Sequence, residues 1–163
     1  MDIRPARDED ADQVIALIAS CYQEYPGCVL DVEGEEPELR AVASAYRDRG
    51  GCFWVALEEE RVVGCVGILP VAGAAAIMLK KLYVTRAARR HGLGGRLCML
   101  AESQARARGA AYIELWSDTR FTESHRFYER RGYEKGERTR ALNDRSNSVE
   151  YHFRKDLAPA PAP

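Results

Sequence analysis

The chain lacks most of the signatures that would tie it early to a chemistry. Its five cysteines (Cys21, Cys28, Cys52, Cys65 and Cys98) are odd in number and scattered, and no two are spaced as Cys-x-x-Cys. That excludes a disulfide framework and a zinc ribbon and points to reduced, mostly packing residues. His91, His125 and His152 contain no His-Glu-x-x-His pair, so no metal is expected. A Gly-x-Ser-x-Gly elbow is also missing, which removes the serine-hydrolase reading. Neither sign of charge is in excess, with 24 Lys plus Arg against 25 Asp plus Glu; without a broad field to gather polyanions, nucleic acid is not an expected partner. No apolar stretch follows a basic start in Met1-Asp2-Ile3-Arg4, and a cytoplasmic setting is expected.

The one long uncharged run, Val62 to Leu79, has the length of a membrane span. It is punctuated by Gly64, Gly67, Pro70 and Gly73, so it reads as two buried strands joined by a loop, and no membrane is expected.

What the sequence does contain is a regular succession of elements. A chain of 163 residues is long enough to bury roughly two thirds of its unfolded surface as one domain. Ile3 opens a short strand. From Asp8 to about Tyr25, Val14, Ile15, Ile18 and Cys21 recur at helical spacing, and Pro26-Gly27 ends the helix. An acidic loop (Asp31, Glu33, Glu35, Glu36) precedes a second helix from Pro37, closed by Gly50-Gly51. Strands follow at Cys52 to Leu57, Val62 to Leu69 and Ala76 to Val84, then a helix from Gly92 to Arg108 with Leu93, Leu97, Leu100 and Ala101 as its buried stripe. A strand at Tyr112 to Trp116, a helix at Thr122 to Arg131 and strands near Tyr133 to Arg138 and Val149 to Arg154 complete the pattern. The order β-α-α-β-β-β-α-β-α-β-β predicts an α+β domain over residues 1–157 with a mixed sheet of about seven strands. A helical crossover makes the fourth and fifth strands parallel neighbours. The Ala-Pro tail 158–163 is expected to be disordered.

The segment Arg89-Arg90-His91-Gly92-Leu93-Gly94-Gly95-Arg96 lies between the strand ending Leu82-Tyr83-Val84 and a helix. Free N–H groups in a first helical turn, the positive end of the dipole and glycines without Cβ atoms together make an anion cradle. A dinucleotide fingerprint needs glycine where Leu97 stands, and a P-loop needs Gly-Lys-Ser/Thr. The cradle therefore belongs to neither class.

Strand, then Arg-x-x-Gly-x-Gly at Arg89 to Gly94, then helix resembles the coenzyme A signature of the GCN5-related N-acetyltransferase (GNAT) superfamily, and the order of elements agrees over nearly the whole chain. The resemblance implies that acetyl-coenzyme A inserts where the fourth and fifth strands splay. Its pantetheine arm would pair with the backbone of Leu82, Tyr83 and Val84. The pyrophosphate would meet the amides of Arg90, His91, Gly92, Leu93, Gly94 and Gly95, clamped by Arg89. Arg120 or Arg126 would reach the 3′-phosphate.

Phe127-Tyr128-Glu129-Arg130-Arg131-Gly132-Tyr133 resembles the family's aromatic-Tyr-x-x-x-Gly-aromatic motif, which assigns Tyr128 as general acid toward the departing thiolate. A phenol of pKa about 10 is protonated at neutral pH and suits that role. The base departs from the family pattern, because Ala76-Ile77-Met78-Leu79 holds no carboxylate where many members carry a glutamate. A water chain or Glu114 is expected to take the amine's proton. The resemblance also places the acidic loop near the mouth for the amine acceptor and makes a homodimer an expected assembly. Transfer of an acetyl group to a primary amine by direct attack is the expected function. The alternative is a non-catalytic acyl-coenzyme A sensor, favoured by the missing glutamate.

Overall fold

The structure, a computed structural model, describes residues 1–159. From residue 160 the expected disordered tail lies outside the described residues. Seven strands form one sheet: β1 (Asp2–Pro5), β2 (Cys52–Glu58), β3 (Arg61–Pro70), β4 (Ala76–Val84), β5 (Tyr112–Asp118), β6 (Glu134–Ala141) and β7 (Val149–Asp156). Their spatial order is β1-β2-β3-β4-β5-β7-β6. Every neighbouring pair is antiparallel except β4 with β5, as expected of strands joined by a helical crossover. The helices are α1 (Ala11–Tyr22), α2 (Val32–Glu35), α3 (Val42–Asp48), α4 (Leu93–Ala107) and α5 (Thr122–Arg130).

The sheet separates two cores. On one face Leu93, Leu97, Cys98 and Ala101 of α4 pack with Tyr128 of α5 over Ile77, Leu79, Ile113 and Leu115. α4 can lie close to the sheet because Gly64 stands beneath it; a Cβ there would meet Leu93 and Leu97 at 3.1 Å each. On the other face α1 and α3 bury Val14, Leu17, Ile18, Val42 and Tyr46 against Phe53, Val55 and Cys65. Burying side chains of this kind contributes roughly 1.5–3 kcal/mol apiece, so the periodicity of the helices and the alternation of the strands carry the fold.

What positions the site is the divergence of β4 from β5. They pair only at Ala76↔Tyr112, Ile77↔Ile113 and Met78↔Glu114, and beyond Met78 they part. The cause lies in β4's other ladder: from Cys65↔Tyr83 to Gly67↔Lys80, β3 advances two residues while β4 advances three. The extra residue is a bulge, with Lys81 at φ 55, and a bulge bends its strand and re-aims its side chains.

Three local details differ from the sequence pattern. A turn of helix, α2, forms inside the acidic loop, where the Gly34 amide donates to Asp31 Oδ1 at 3.0 Å. The second helix begins as a 3₁₀ turn, Pro37–Ala41, and becomes α-helical only at Val42; neither start has a side-chain cap. β6 extends to Ala141 although nearly all its residues are exposed; an edge strand built from charged residues carries no apolar alternation to read.

Candidate active site

The start of α4 is shaped by two left-handed residues. Arg90 has φ 68 and Gly92, the residue before α4, has φ 78. Such alternation turns successive amides toward one point and forms an anion-binding nest. No side chain caps α4, so its first-turn N–H groups face the cleft together with the positive end of the dipole. Gly94 keeps the approach open: a Cβ there would stand 3.6 Å from Phe127 and 3.9 Å from Val84, on the cleft floor. Gly95 has a different reason to be glycine, since its Cβ would press on Arg131 at 2.9 Å.

A cleft of 980 Å³ runs from this helix start between the parted strands. Met78 to Val84 of β4 and Leu115 to Asp118 of β5 form its walls, Phe127 and Tyr128 of α5 close one side, and the loops after α1 and after β6 border the other. Among the sequence-derived candidates, Leu82, Tyr83, Val84, Arg89, Arg90, Gly92, Gly94, Gly95 and Tyr128 line this space.

The Tyr128 ring is buried, 6% exposed, with Phe127 and Tyr133 edge-on at 5.3 and 5.4 Å. Burial pushes its phenol well above the ordinary value, and no hydrogen bond moderates the shift. The hydroxyl is thus held protonated, without a partner among the described residues, on the wall of the cleft.

Several candidates stand differently from the sequence expectation. Arg89 is committed to Glu24 through two hydrogen bonds of 2.6 and 2.7 Å, and its Nε donates to the Val84 carbonyl at 3.0 Å. Both partners shift accordingly: Glu24 holds the guanidinium's pKa up, and Arg89 holds the carboxyl below the usual range. The residue therefore ties the glycine segment to α1 and β4; of the two neighbouring arginines it is Arg90, exposed on the cleft wall, that has no ion-pair partner among the described residues. Leu93 is 2% exposed in the core and His91 points to solvent; of these two only the backbone belongs to the cradle. Arg120 is held by Asp118 at 2.8 and 2.9 Å and by the Ser146 carbonyl at 3.0 Å, outside the residues lining the cleft, whereas Arg126 lines it. Glu114 sits at the closed end of the splay, opposite Met78. Its carboxylate is hydrogen-bonded to His152 Nε2 at 2.8 Å and lines no part of the cleft.

The acidic loop divides. Glu35 and Glu36 border the cleft, while Asp31 caps α2 and Glu33 pairs with Arg40. Sequence reasoning missed the pairs that the fold assembles here. Glu36 binds the Lys81 ammonium, which burial pulls down to about 8 while the charge of Glu150 opposes that pull. Glu150 pairs with Arg140 at 2.7 Å. The only sequence signal for Lys81 was its place in the strand before the glycine segment, and for Glu150 there was none. Among the described residues no group of three or more His, Cys, Asp or Glu gathers as a metal site, and no helix is long and apolar enough to cross a membrane.

This geometry can be set beside known proteins. The model of the acetyltransferase (GNAT) family matches residues 12–133. The chain belongs to the GNAT family. The family is one of acyltransferases, whose members act on amine acceptors in general. N-acetyltransferase YhfO of Bacillus subtilis, itself uncharacterized, is 28% identical over 82% of this chain and 90% of its own length. The uncharacterized N-acetyltransferase YjgM of Escherichia coli is 33% identical over 61% of the chain, a match that spans 60% of that protein. Among solved structures, a GNAT acetyltransferase of Staphylococcus aureus Mu50 superposes with a TM-score of 0.83 at 20% identity, covering 96% of this chain and 99% of that one. The PaiA N-acetyltransferase of Thermoplasma acidophilum, solved in complex with coenzyme A, gives 0.74 at 16% identity over 96% and 98%. Both share the GNAT fold: a seven-stranded mixed sheet opened at β4 and β5.

Proposed function

We propose that the protein transfers an acetyl group from acetyl-coenzyme A to a primary amine by direct attack of the amine. The observation that carries this reading is the convergence on one cleft of an uncapped helix start, an unpaired β4 edge and the unpartnered hydroxyl of Tyr128. The residues fit the coenzyme. The amides of Gly92, Leu93, Gly94 and Gly95 with Arg90 would hold the diphosphate, Arg126 suits the 3′-phosphate, and β4 from Leu79 to Val84, unpaired toward β5, offers backbone groups to the pantetheine. The coenzyme supplies an activated acyl group; this chain supplies position and protons.

Tyr128 would donate a hydrogen bond to the departing sulfur, lowering the cost of negative charge there, and return to its protonated state by exchange with solvent. An amine of pKa about 10.4 is neutral only about once in a thousand molecules at pH 7, so the acceptor must lose a proton on the way in. With Glu114 turned to His152 and Glu36, Asp118 and Glu150 each paired with a cation, a water relay along the cleft is the base we assign. Thiol release from acetyl-coenzyme A over an amine panel tests the function. Coenzyme binding without turnover of any amine would instead establish an acyl-coenzyme A sensor.

A further inference from the structure

The acceptor end of the cleft has a charge left over. On the sheet face that α1 and α3 cover, their contacts reach β2, β3 and β4. Beyond β4, register places Trp116 and Asp118 of β5 beside His152 and Glu150 of β7, and Arg140 of β6 beside Glu150. Met78 and Lys80 of β4 border this stretch of sheet. Of the acids here, Glu36 binds Lys81, Asp118 binds Arg120 and Glu150 binds Arg140, while Asp144 accepts from Ser148 and Glu35 from the Arg145 amide. Lys80 has no such partner among the described residues. It is half-buried and lines the cleft, with burial and the nearby Arg140 both lowering its affinity for a proton. Arg140 gives only its Nε to Glu150 and lays its guanidinium 4.4 Å over Trp116, so its terminal nitrogens remain available. Two cations thus share one carboxylate on a partly desolvated floor.

A half-buried ammonium is costly unless an anion joins it, and a cationic acceptor such as a polyamine would meet like charge at Lys80 and Arg140. We propose that Lys80, with Arg140 beside it, seats a carboxylate carried by the acceptor, so that the amine acetylated belongs to an amino-acid-like molecule. The exposed Leu142, two residues beyond Arg140 and on the cleft border, and Trp116 add apolar surface that suits an apolar side chain. This inference rests on the transfer reading above.

The test pairs each of a panel of α-amino acids with its own carboxamide, compared at equal free-amine concentration, with spermidine and an end-blocked lysine peptide as cationic acceptors. In the wild type we expect acids to exceed their carboxamides by about 10–100-fold in kcat/KM, the scale of a lost charge-assisted pair. Lys80→Met, which keeps length and loses charge, should erase that preference and leave the KM for acetyl-coenzyme A unchanged. Calorimetry in the presence of coenzyme A gives a readout free of turnover: the preferred amino acid should bind the wild type and lose that binding in Lys80→Met. Carboxamides or spermidine used as well as the acids, or a Lys80→Met loss equal for acids and carboxamides, would overturn the carboxylate seat while leaving acetyl transfer intact. Thiol release with none of the amines, despite coenzyme binding, would instead overturn the transfer reading and the seat with it.

Discussion

The two ends of the cleft are built on different principles. At the end proposed for the coenzyme the groups on offer are main-chain amides, fixed by the two left-handed residues Arg90 and Gly92, by the uncapped start of α4 and by the edge that β4 gains when it leaves β5. At the acceptor end they are side chains brought from distant parts of the sequence. Lys81 meets Glu36 across 45 positions, and the loops after α1 and after β6 are stitched together where Val29 and Ser146 exchange hydrogen bonds of 2.7 and 3.1 Å. Backbone recognition is shared by any chain with this topology, whereas paired side chains can be exchanged without disturbing the fold. On the proposed reading the first end serves the family chemistry and the second selects the amine.

The contrast can be broken most sharply at Gly94. Since the space above it lies against Phe127 and Val84, Gly94→Leu should fill the diphosphate approach and weaken coenzyme A binding by at least about 100-fold, the scale of several lost charge-assisted bonds. Calorimetry should show that loss while the melting temperature stays within a few degrees. Tyr128→Phe should come next, lowering kcat by about 10²–10³-fold, as expected for loss of a positioned acid, with coenzyme affinity retained. Because burial raises the Tyr128 phenol above 10, its acid form persists through the alkaline range, and the wild-type rate should show no falling limb from this group below pH 10. An unchanged kcat in Tyr128→Phe would detach α5 from the chemistry and leave the coenzyme end standing.

Smaller effects separate the neighbouring arginines. Arg90→Ala should weaken coenzyme binding by about tenfold and flatten its salt dependence, because it removes one phosphate-facing charge from the cleft wall. Arg89→Ala acts through Glu24 and the Val84 carbonyl; it should lower the melting temperature as well as the affinity, and Glu24→Gln should reproduce part of both effects. Glu114→Gln should change turnover by less than about twofold, since its carboxylate serves His152 and not the cleft. A large loss there would return Glu114 to the role of base.

How far each end was legible follows from the same difference. Gly92, Gly94 and Gly95 betrayed the cradle because glycine at a helix start reports a backbone requirement at its own position. Tyr128 was singled out by its place in a local motif, and the fold sets it on the cleft wall. Arg89 was expected as a clamp, and nothing local reveals that Glu24, 65 residues earlier, takes its guanidinium; Arg120 was likewise claimed by Asp118 and Ser146. Glu114 looked like a base from its strand position, but which way a strand residue faces, and that His152 lies opposite its neighbour Trp116, is a property of sheet register.

Taken alone, the sequence determined the succession of elements, the parallel crossover and the glycine-shaped start of α4, because helical periodicity, strand alternation and glycine conformation are short-range properties written into adjacent residues. Only the tertiary structure decided which charges are spent on one another and which, like Lys80, are left facing the cleft. Electrostatic pairing depends on distance in space, and the bulge at Lys81 and the ladder joining β5, β7 and β6 set those distances among residues far apart in the chain.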